Sequence, residues 1–273
     1  MTYATKDDLV NIFFDTEKFY TEDEFLREAV RASIEGTVFY GAENYPSLPA
    51  KKFGRTAVTV VRKRSFEAAV FMQRKHLEAR IAVHNFASAT NPGGGVKYGS
   101  RAQEEALCRC STLYPVLNTD ENWRRYYKVN RERDDSNYDD ACIYTPEIII
   151  CKSDIERPAR LPREKWDTVD IVTIAAPNLH RRTLSDEELF ALQESRIRHM
   201  FTVVACHGAE IFVTGAFGCG AFGNNPEVVA RAYKKILSEF DGYFKEIVFA
   251  IYCRPHELSN FELFKKILVE EPT

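Results

Sequence analysis

Residues Asn85 to Glu105 read NFASATNPGGGVKYGSRAQEE, and the fold prediction starts from them. The apolar segment before them, Ala79 to His84, predicts a buried strand. The residues after them, ALCRCSTLYPVL, predict a helix that begins at about Arg101. The chain therefore passes from a strand through three glycines into a helix with two carboxylates in its first turn. This order predicts a site in which backbone amides bind an anion and a carboxyl group acts as an acid.

The three glycines, Gly93 to Gly95, follow Pro92 and carry no side chain over their amides. Positive φ is available to each, so their backbone can approach a ligand closely and form an anion-binding concavity. The free amides at the start of the next helix also favour a phosphate there.

Glu104 and Glu105 are neighbours in the first turn of that helix, so their side chains point about 100° apart. One carboxylate can hold a sugar hydroxyl while the other exchanges a proton. The alternative is purely structural, because glutamate stabilises first helical turns through the helix dipole. The nearby glycine triplet and the preceding buried strand favour the catalytic interpretation.

Gly93-Gly94-Gly95, followed after seven residues by Gln103-Glu104-Glu105, resembles the signature of poly(ADP-ribose) glycohydrolases. The stretch NFASATNPGGG and the later TGAFGCGAFGNNP, Thr214 to Pro226, resemble the compact bacterial-type branch of that family. The resemblance covers most of the chain. It implies a macrodomain core that cleaves the ribose–ribose bonds of poly(ADP-ribose), with the polymer and ADP-ribosylated proteins as partners and ADP-ribose as product.

The composition allows one large domain with a sizeable core, since 45% of the 273 residues are hydrophobic. The net charge of −3 gives no general attraction to nucleic acid, so we expect no sequence-specific nucleic-acid binding. The N-terminal residues lack a secretory pattern and no run approaches 18 apolar residues. We therefore expect a soluble, cytoplasmic monomer that does not bind a membrane.

Cysteines and histidines give no signal for a metal or a disulfide framework. The seven cysteines are odd in number and form no paired C-x-x-C sites, and Cys108-x-Cys110 is better explained as two helical thiols. The six histidines show no paired i, i+4 arrangement with a glutamate. We expect no metal and no cofactor.

Residues 1–55 are predicted to form an N-terminal helical extension, and residues 56–273 the macrodomain-like catalytic core. The extension has two predicted helices, from Thr5 or Lys6 to Phe19 and from Thr21 to Ala32, the second opened by a capping box at Thr21. Prolines 46 and 49 then mark a loop. The simpler interpretation is an accessory layer packed on the core. The resemblance implies an alternative, in which the extension restricts cleavage to chain ends.

Strands and helices alternate from residue 56 onward, which predicts a three-layer α/β/α sandwich with a mixed, mostly parallel sheet. The predicted strands are Thr56–Arg62, Arg80–Phe86, Ala141–Tyr144, Glu147–Cys151, Asp167–Ala176, Glu210–Thr214 and Lys245–Tyr252. The predicted helices are Ser65–Lys75, Ser185–His207, Pro226–Phe240 and Asn260–Glu270, with N-caps at Ser65, Ser185, Asn225 and either Ser259 or Asn260. Asn122–Asp140 predicts a solvated loop or a frayed helix.

A second glycine loop, Gly215 to Gly223, has four glycines in nine residues between a predicted strand and a predicted helix. Ligands bind at the carboxyl ends of strands in open α/β sheets, so this loop is placed for phosphate. It is not a Walker A loop, because no Gly-Lys-Ser/Thr follows. The alternative is a flexible turn without a ligand.

The resemblance assigns roles to both loops. It implies that the backbone of the second loop wraps a diphosphate and that Phe222 packs on the adjacent ribose, although Phe217 could fill that place or enter the core. The residues expected around the diphosphate are Thr214, Gly215, Ala216, Phe217, Gly218, Cys219, Gly220, Ala221, Phe222 and Gly223.

At the first loop, the family pattern implies that Glu105 is the general acid and later the base, and that Glu104 holds the hydroxyls of the leaving ribose. Gln103 caps or supports the helix, and one of Asn85, Ser88 and Asn91 binds the distal ribose. The remaining expected substrate contacts are Gly93, Gly94, Gly95 and Val96. The adenine is expected near the extension or near the end of the strand at Asp167–Asn178.

Other function classes remain open at this point. A non-catalytic ADP-ribose reader would use the same loops, and the intact Glu104-Glu105 pair argues against it. A mono-ADP-ribosyl hydrolase is a neighbouring activity that the residues do not exclude. A phosphatase or nucleotide hydrolase would need a metal cluster or a Walker lysine, and the sequence shows neither.

Overall fold

The computed structural model describes residues 3–180, 182–254 and 257–269. Seven strands in these residues form one sheet. They are β1 (Val38–Tyr40), β2 (Ala57–Val61), β3 (Ile81–Phe86), β4 (Cys142–Ile150), β5 (Asp167–Ile174), β6 (Ile211–Thr214) and β7 (Glu246–Ala250).

The α-helices are α1 (Lys6–Glu22), α2 (Glu24–Gly36), α3 (Ser65–Lys75), α4 (Gln103–Cys110), α5 (Leu113–Leu117), α6 (Asp120–Asn122), α7 (Lys128–Arg131), α8 (Asp186–Cys206), α9 (Pro226–Glu239) and α10 (Ser259–Leu268). Short 3₁₀ turns occupy Val96–Tyr98 and Arg163–Lys165, and a π-helical turn occupies Trp123–Tyr127. Within the described ranges, every helix is too short or too polar to span a bilayer.

The strands are arranged in the order β1-β4-β5-β3-β6-β7-β2. The strands from β5 to β2 are parallel, whereas β4 runs antiparallel to both β1 and β5. The expected mixed, mostly parallel sheet is confirmed. Because parallel strands end at the same edge, the chain segments that follow β2, β3, β5, β6 and β7 meet there.

Side chains alternate along the strands and build a core on each face of the sheet. Phe212 and Ile247 pack with α8, α9 and α10 on one face. Ile211, Val213 and Val248 pack with α1, α3, α4 and α5 on the other. The three-layer α/β/α sandwich predicted from the sequence is therefore confirmed.

The N-terminal residues are tied closely to this sandwich. Phe13 of α1 is fully buried in the same core as α3, α4 and α5. β1, which the sequence did not predict, pairs with β4 and extends the sheet. The division at residue 55 stays a prediction, although part of the first segment contributes a strand to the sheet of the second.

Several predicted helix starts are shifted. Asp23, not Thr21, caps α2 and accepts the Leu26 amide at 3.0 Å, because the first helix continues to Glu22. Ser65 is the first residue of α3 rather than its cap, and its hydroxyl accepts from Gln103. For α10, neither Ser259 nor Asn260 is the cap, because the helix already includes both. The predicted end of that helix at Glu270 lies outside the described residues.

Three segments differ more from the prediction. The helix expected through residues 106–117 is broken at Ser111, which bridges to Ile150 instead. The two strands expected around Pro146 form one strand, β4, with an irregularity between Thr145 and Ile148. The segment from Asn122, expected as a solvated loop or a frayed helix, is a continuous helical segment up to Arg131, because Tyr126 and Tyr127 are buried against the sheet.

Other local predictions are confirmed. Ser185 caps α8 with a reciprocal capping box to Glu188. Asn225 caps α9, and Pro226 occupies its first turn. β2, β3, β5, β6 and β7 lie within the predicted strands.

Candidate active site

A cavity of about 360 Å³ lies across the carboxyl ends of the parallel strands. Ser88 and Ala176 line it beyond β3 and β5, and Phe222 lines it beyond β6. Tyr252 and Ser65 line the other end, beyond β7 and β2. The volume lies within the range of pockets that bind small molecules and cofactors. An elongated ligand can therefore contact five strand ends at once.

Glu104 is buried at one end of this cavity and is 2% exposed. Its Oε2 accepts the Ser88 amide at 2.7 Å, and its Oε1 accepts the Gly93 amide at 3.2 Å and the Asn85 side chain at 3.3 Å. Three donors from β3 and the following loop therefore hold this carboxyl in one orientation.

Glu105 also lines the cavity and is 7% exposed. Its Oε1 accepts the Gly95 amide at 2.9 Å. Its Oε2 is buried, and no described residue donates a hydrogen bond to it. Glu105 is therefore oriented through one oxygen while the other stays available for a ligand.

Burial raises the pKa of Glu104 from 4.5 to about 8. The amides of Ser88 and Gly93 oppose the shift because they stabilise the charged form, and the nearby Glu105 adds to it. Glu104 therefore holds its proton to a higher pH than an exposed glutamate does.

Gln103 fixes the start of α4 against the sheet. Its side-chain oxygen accepts the Phe86 amide at 2.9 Å, and its nitrogen donates to the His84 carbonyl at 2.6 Å and to Ser65 at 3.0 Å. These bonds join α4 to β3 and α3. The prediction that Gln103 supports the helix agrees with these contacts.

The first glycine loop, residues 93–99, packs directly against the two acids. A Cβ at Gly94 would lie 2.5 Å from Glu105 Oε1 and 3.1 Å from Glu104 Oε2, and Gly94 has a φ of +56°. Its neighbours Gly93 and Gly95 donate their amides to the same two carboxyls. The sequence led us to expect an external phosphate at these amides, but the protein's own glutamates accept two of them.

Helix α1 supports this loop from behind. A Cβ at Gly99 would lie 2.6 Å from the Lys6 carbonyl, and one at Gly93 would lie 2.7 Å from the Tyr114 ring. The Tyr114 ring meets Phe13 of α1 edge-on at 5.0 Å. The N-terminal helix therefore belongs to the framework that positions the acids.

The second glycine loop, residues 215–223, is open at Gly220 and Gly223, whereas a Cβ at Gly215 or Gly218 would lie 2.6 Å from another atom. A Cβ at Gly220 would have no atom within 4 Å, and the same is true at Gly223. No described residue accepts a hydrogen bond from the amides of Gly218, Gly220, Ala221 or Phe222. These amides are available to an anionic ligand in the cavity.

The two phenylalanines of the second loop lie in different environments. Phe217 is 1% exposed and its ring packs against His84 at 4.5 Å and Phe86 at 5.8 Å. Phe222 is only partly buried and lines the cavity. Of the two alternatives, Phe217 enters the core, although its edge still reaches the cavity.

The structure brings half of the predicted site residues to the lining of one cavity. Those that line the cavity are Ser88, Gln103, Glu104, Glu105, Ala216, Phe217, Gly218, Gly220, Ala221 and Phe222. Those that do not line it are Asn85, Asn91, Gly93, Gly94, Gly95, Val96, Thr214, Gly215, Cys219 and Gly223. Asn85, Gly93 and Gly95 contact the acids instead. The Asn91 side chain accepts from Arg131 at 2.5 Å.

Sequence reasoning missed the other end of the cavity. Lys63, Arg64, Ser65, Arg101, Asp154, Tyr252 and Asn260 line it. Asp154 is 8% exposed, its Oδ2 accepts the Phe66 amide at 3.1 Å, and no described residue donates to its buried Oδ1. Burial raises its pKa to about 6. Ser65 follows a predicted strand, so its position at the strand-end cavity could have been predicted. Asp154 lies 89 residues after Ser65, and the sequence gave no signal for its position at the cavity.

The described residues contain no candidate metal site. In residues 3–180, 182–254 and 257–269, no group of three or more His, Cys, Asp or Glu side chains is arranged to hold a metal ion. The seven cysteines are free thiols.

Comparison with known proteins defines the family. Residues 12–153 match the model of the microbial-type PARG catalytic domain. The poly(ADP-ribose) glycohydrolase of Deinococcus radiodurans, solved in complex with ADP-ribose, is 31% identical, with a TM-score of 0.75 over 88% of this chain and 96% of that one. The chain therefore belongs to the family of microbial-type poly(ADP-ribose) glycohydrolases.

Two further solved structures are similar over nearly the whole chain. The poly(ADP-ribose) glycohydrolase of Thermomonospora curvata is 27% identical, with a TM-score of 0.83 over 95% of this chain and 98% of that one. The same enzyme bound to the inhibitor ADP-HPD is 26% identical, with a TM-score of 0.79 over 94% and 98%. No curated protein matches this chain.

Proposed function

We propose that this protein hydrolyses the ribose–ribose O-glycosidic bonds of poly(ADP-ribose) and releases ADP-ribose. The observation that carries the proposal is the pair Glu104 and Glu105, held by loop amides at one end of a cavity of about 360 Å³. A pocket that only binds ADP-ribose has no need of an oriented acid with a free oxygen. Family membership and the ligands named for the solved relatives support the same substrate.

The diphosphate of a bound ADP-ribose unit lies on the second glycine loop. Gly218, Gly220, Ala221 and Phe222 line the cavity, and their unbonded amides can donate to phosphate oxygens. A backbone without nearby side chains, as at Gly220, lets those oxygens approach closely.

The adenine then lies at the end lined by Ser65, Asp154 and Tyr252, where the sequence did not lead us to expect it. The free Oδ1 of Asp154 can accept from the exocyclic amine of adenine, and Tyr252, whose ring carries the Arg64 guanidinium at 4.0 Å, lines the same end. A buried acceptor without a partner is costly, so a ligand donor that supplies the hydrogen bond gains affinity.

The distal ribose, at the opposite end, lies against Glu105 and Ser88. Glycoside cleavage needs an acid to protonate the leaving oxygen and a base to activate water, while the sugar passes through an oxocarbenium-like state. Glu105 takes both roles through Oε2, the oxygen without a protein partner. Its other oxygen is held by the Gly95 amide, which keeps the proton-transferring oxygen directed at the bond.

Glu104 has a positioning role. Its Oε1 already accepts two protein hydrogen bonds, whereas Oε2 accepts only the Ser88 amide and keeps one position for a ribose hydroxyl that enters the cavity. It thereby fixes the leaving ribose relative to Glu105. Cleavage from chain ends, action as a monomer and a cytoplasmic location stay predictions of the same proposal.

The direct test is release of ADP-ribose from poly(ADP-ribose) by wild type and by Glu105→Gln. Loss of a general acid lowers turnover by about 10²- to 10⁴-fold, so we expect a fall of at least about 10²-fold in kcat. Glu132→Gln, at an exposed position directly after α7, serves as the matched control and keeps full activity. Equal turnover by wild type and Glu105→Gln, with both proteins folded, contradicts the assignment.

A further inference from the structure

A second cavity, of about 380 Å³, lies beyond the acid end of the active site. Thr90 lines it, two residues after Ser88, which lines the active-site cavity. Ser136 also lines it and is joined to Asn178 by two hydrogen bonds of 2.8 Å. Asn178 lies two residues after Ala176 of the active-site cavity. The two cavities therefore adjoin where β3 and β5 end.

Three arginines, Arg131, Arg133 and Arg182, line this second cavity. Arg131 donates to the Thr90 carbonyl at 2.7 Å and to the Asn91 side chain at 2.5 Å through two of its three nitrogens. No described residue accepts from its third nitrogen. Arg131 therefore anchors the loop that carries Ser88 and keeps a donor for a ligand.

Two buried polar atoms at this cavity also have no partner. Asn130 is 5% exposed, and no described residue donates to its Oδ1. The Nε of Arg133 is buried and likewise has no acceptor among the described residues, while its terminal nitrogen pairs with Asp139. Unpaired buried donors and acceptors are uncommon in folded proteins, so these atoms point to a ligand with both kinds of group.

The charges around the cavity are mixed. Asp134 and Asp135 line it beside the three arginines. Arginine guanidinium groups suit phosphate oxygens, and carboxylates together with the Asn130 oxygen suit hydroxyl donors. A ribose carrying phosphate offers both, whereas a simple anion would leave the acceptors unsatisfied.

We propose that this cavity binds the ADP-ribose unit on the leaving side of the scissile bond, with the arginines contacting its diphosphate and Asn130 a ribose hydroxyl. This inference rests on the proposed function. In that arrangement the diphosphate loop after β6 and the adenine end beyond β2 lie to one side of Glu105. The second cavity lies to the other side, past β5, where the departing part of the polymer extends.

The test compares two substrates that differ only in the leaving group. One is poly(ADP-ribose), and the other is an aryl glycoside of ADP-ribose, whose leaving group carries no phosphate. Arg182→Gln is expected to raise KM for the polymer about tenfold, the effect of one charge-assisted hydrogen bond, and to leave kcat/KM for the aryl glycoside within about twofold. Arg131→Gln should add a loss on both substrates, because Arg131 also anchors the Ser88 loop.

Arg124→Gln is the matched control, since Arg124 is an exposed arginine of the same helical segment that pairs with Glu121 outside the cavity. We expect Arg124→Gln to leave both KM for the polymer and kcat/KM for the aryl glycoside unchanged. An unchanged KM for polymer in Arg182→Gln, or an equal loss on both substrates, overturns the leaving-side site while the glycohydrolase proposal stands. Wild type that cleaves neither substrate overturns the proposed function itself, and the two failures are thereby distinguished.

Discussion

The two glycine loops of the cavity use their backbone amides differently. In the first loop, the amides of Gly93 and Gly95 are bonded to Glu104 and Glu105, and side chains or backbone surround each glycine of the triplet. In the second loop, the amides of four residues have no acceptor among the described residues, and Gly220 has open space around it. Glycine allows close packing throughout the triplet and also at Gly218, whereas at Gly220 it leaves backbone exposed.

This difference separates catalysis from binding. The first loop is a rigid support that fixes two buried carboxyls, and helix α1 packs behind it. The second loop is a surface for the diphosphate. Changes in the first loop should therefore alter turnover and stability, whereas changes in the second should alter affinity.

The largest effect is expected for Gly94→Ala. The new methyl group would lie 2.5 Å from Glu105 Oε1 at a φ of +56°, so the carboxyl must move. Displacement of a proton-transferring group costs catalysis heavily, and we expect kcat to fall by about 10²-fold or more. The measurement is single-turnover hydrolysis of poly(ADP-ribose). Gly54→Ala is the control, because a Cβ at Gly54 meets no atom within 4 Å.

A thermal melt of Gly94→Ala accompanies the kinetics. We expect a loss of about 1–3 kcal/mol in the free energy of unfolding, from strain at the positive φ and the clash. Full activity in a stable Gly94→Ala protein would show that the first loop does not hold the acids in place.

The next effect concerns pH and stability in Glu104→Gln. The pKa of Glu104 is raised from 4.5 to about 8 in the folded protein, so the folded state holds a proton that the unfolded state releases. Stability from this group is complete below pH 4.5 and is lost as the pH rises to about 8. One proton gives a slope of at most about 1.4 kcal/mol per pH unit.

Glutamine cannot ionise, so the stability of Glu104→Gln relative to wild type should increase steadily across that pH window. Chemical denaturation at several pH values measures it. Glu132→Gln, at an exposed position, should run parallel to wild type. Parallel curves for Glu104→Gln as well would mean that Glu104 is charged in the folded protein at neutral pH.

A smaller effect is expected for Gly220→Ala. Its Cβ meets no protein atom, so stability should stay within about 0.5 kcal/mol of wild type. The methyl group would lie where phosphate approaches, and we expect ADP-ribose to bind about tenfold more weakly with kcat at saturation nearly unchanged. A large loss of kcat at saturating polymer would contradict the division between the loops, because the second loop would then also affect turnover.

Local chemistry in the sequence predicted much of the fold. Ser185 with Glu188, and Asn225 before Pro226, mark helix starts through contacts within a few residues, so the sequence is sufficient to place them. The sequence left the segment at Trp123–Tyr127 open between a solvated loop and a frayed helix, because it is rich in charge and the strands that bury its tyrosines are distant in the chain.

The candidate site shows the same limit. Gln103-Glu104-Glu105 was found because its residues are consecutive, and its position beside Gly93–Gly95 was correct. The sequence did not reveal which anion fills the first loop, since an external phosphate and an internal carboxylate need the same glycines. Asp154 was missed because only the fold brings it to the cavity.

The most direct test of the division between the loops is a calorimetric titration of ADP-ribose into Glu105→Gln and Gly220→Ala, each against wild type. We expect Glu105→Gln to bind ADP-ribose within about threefold of wild type, and Gly220→Ala to bind it about tenfold more weakly. Wild-type affinity in Gly220→Ala together with lost binding in Glu105→Gln would contradict it, because the first loop would then carry the ligand.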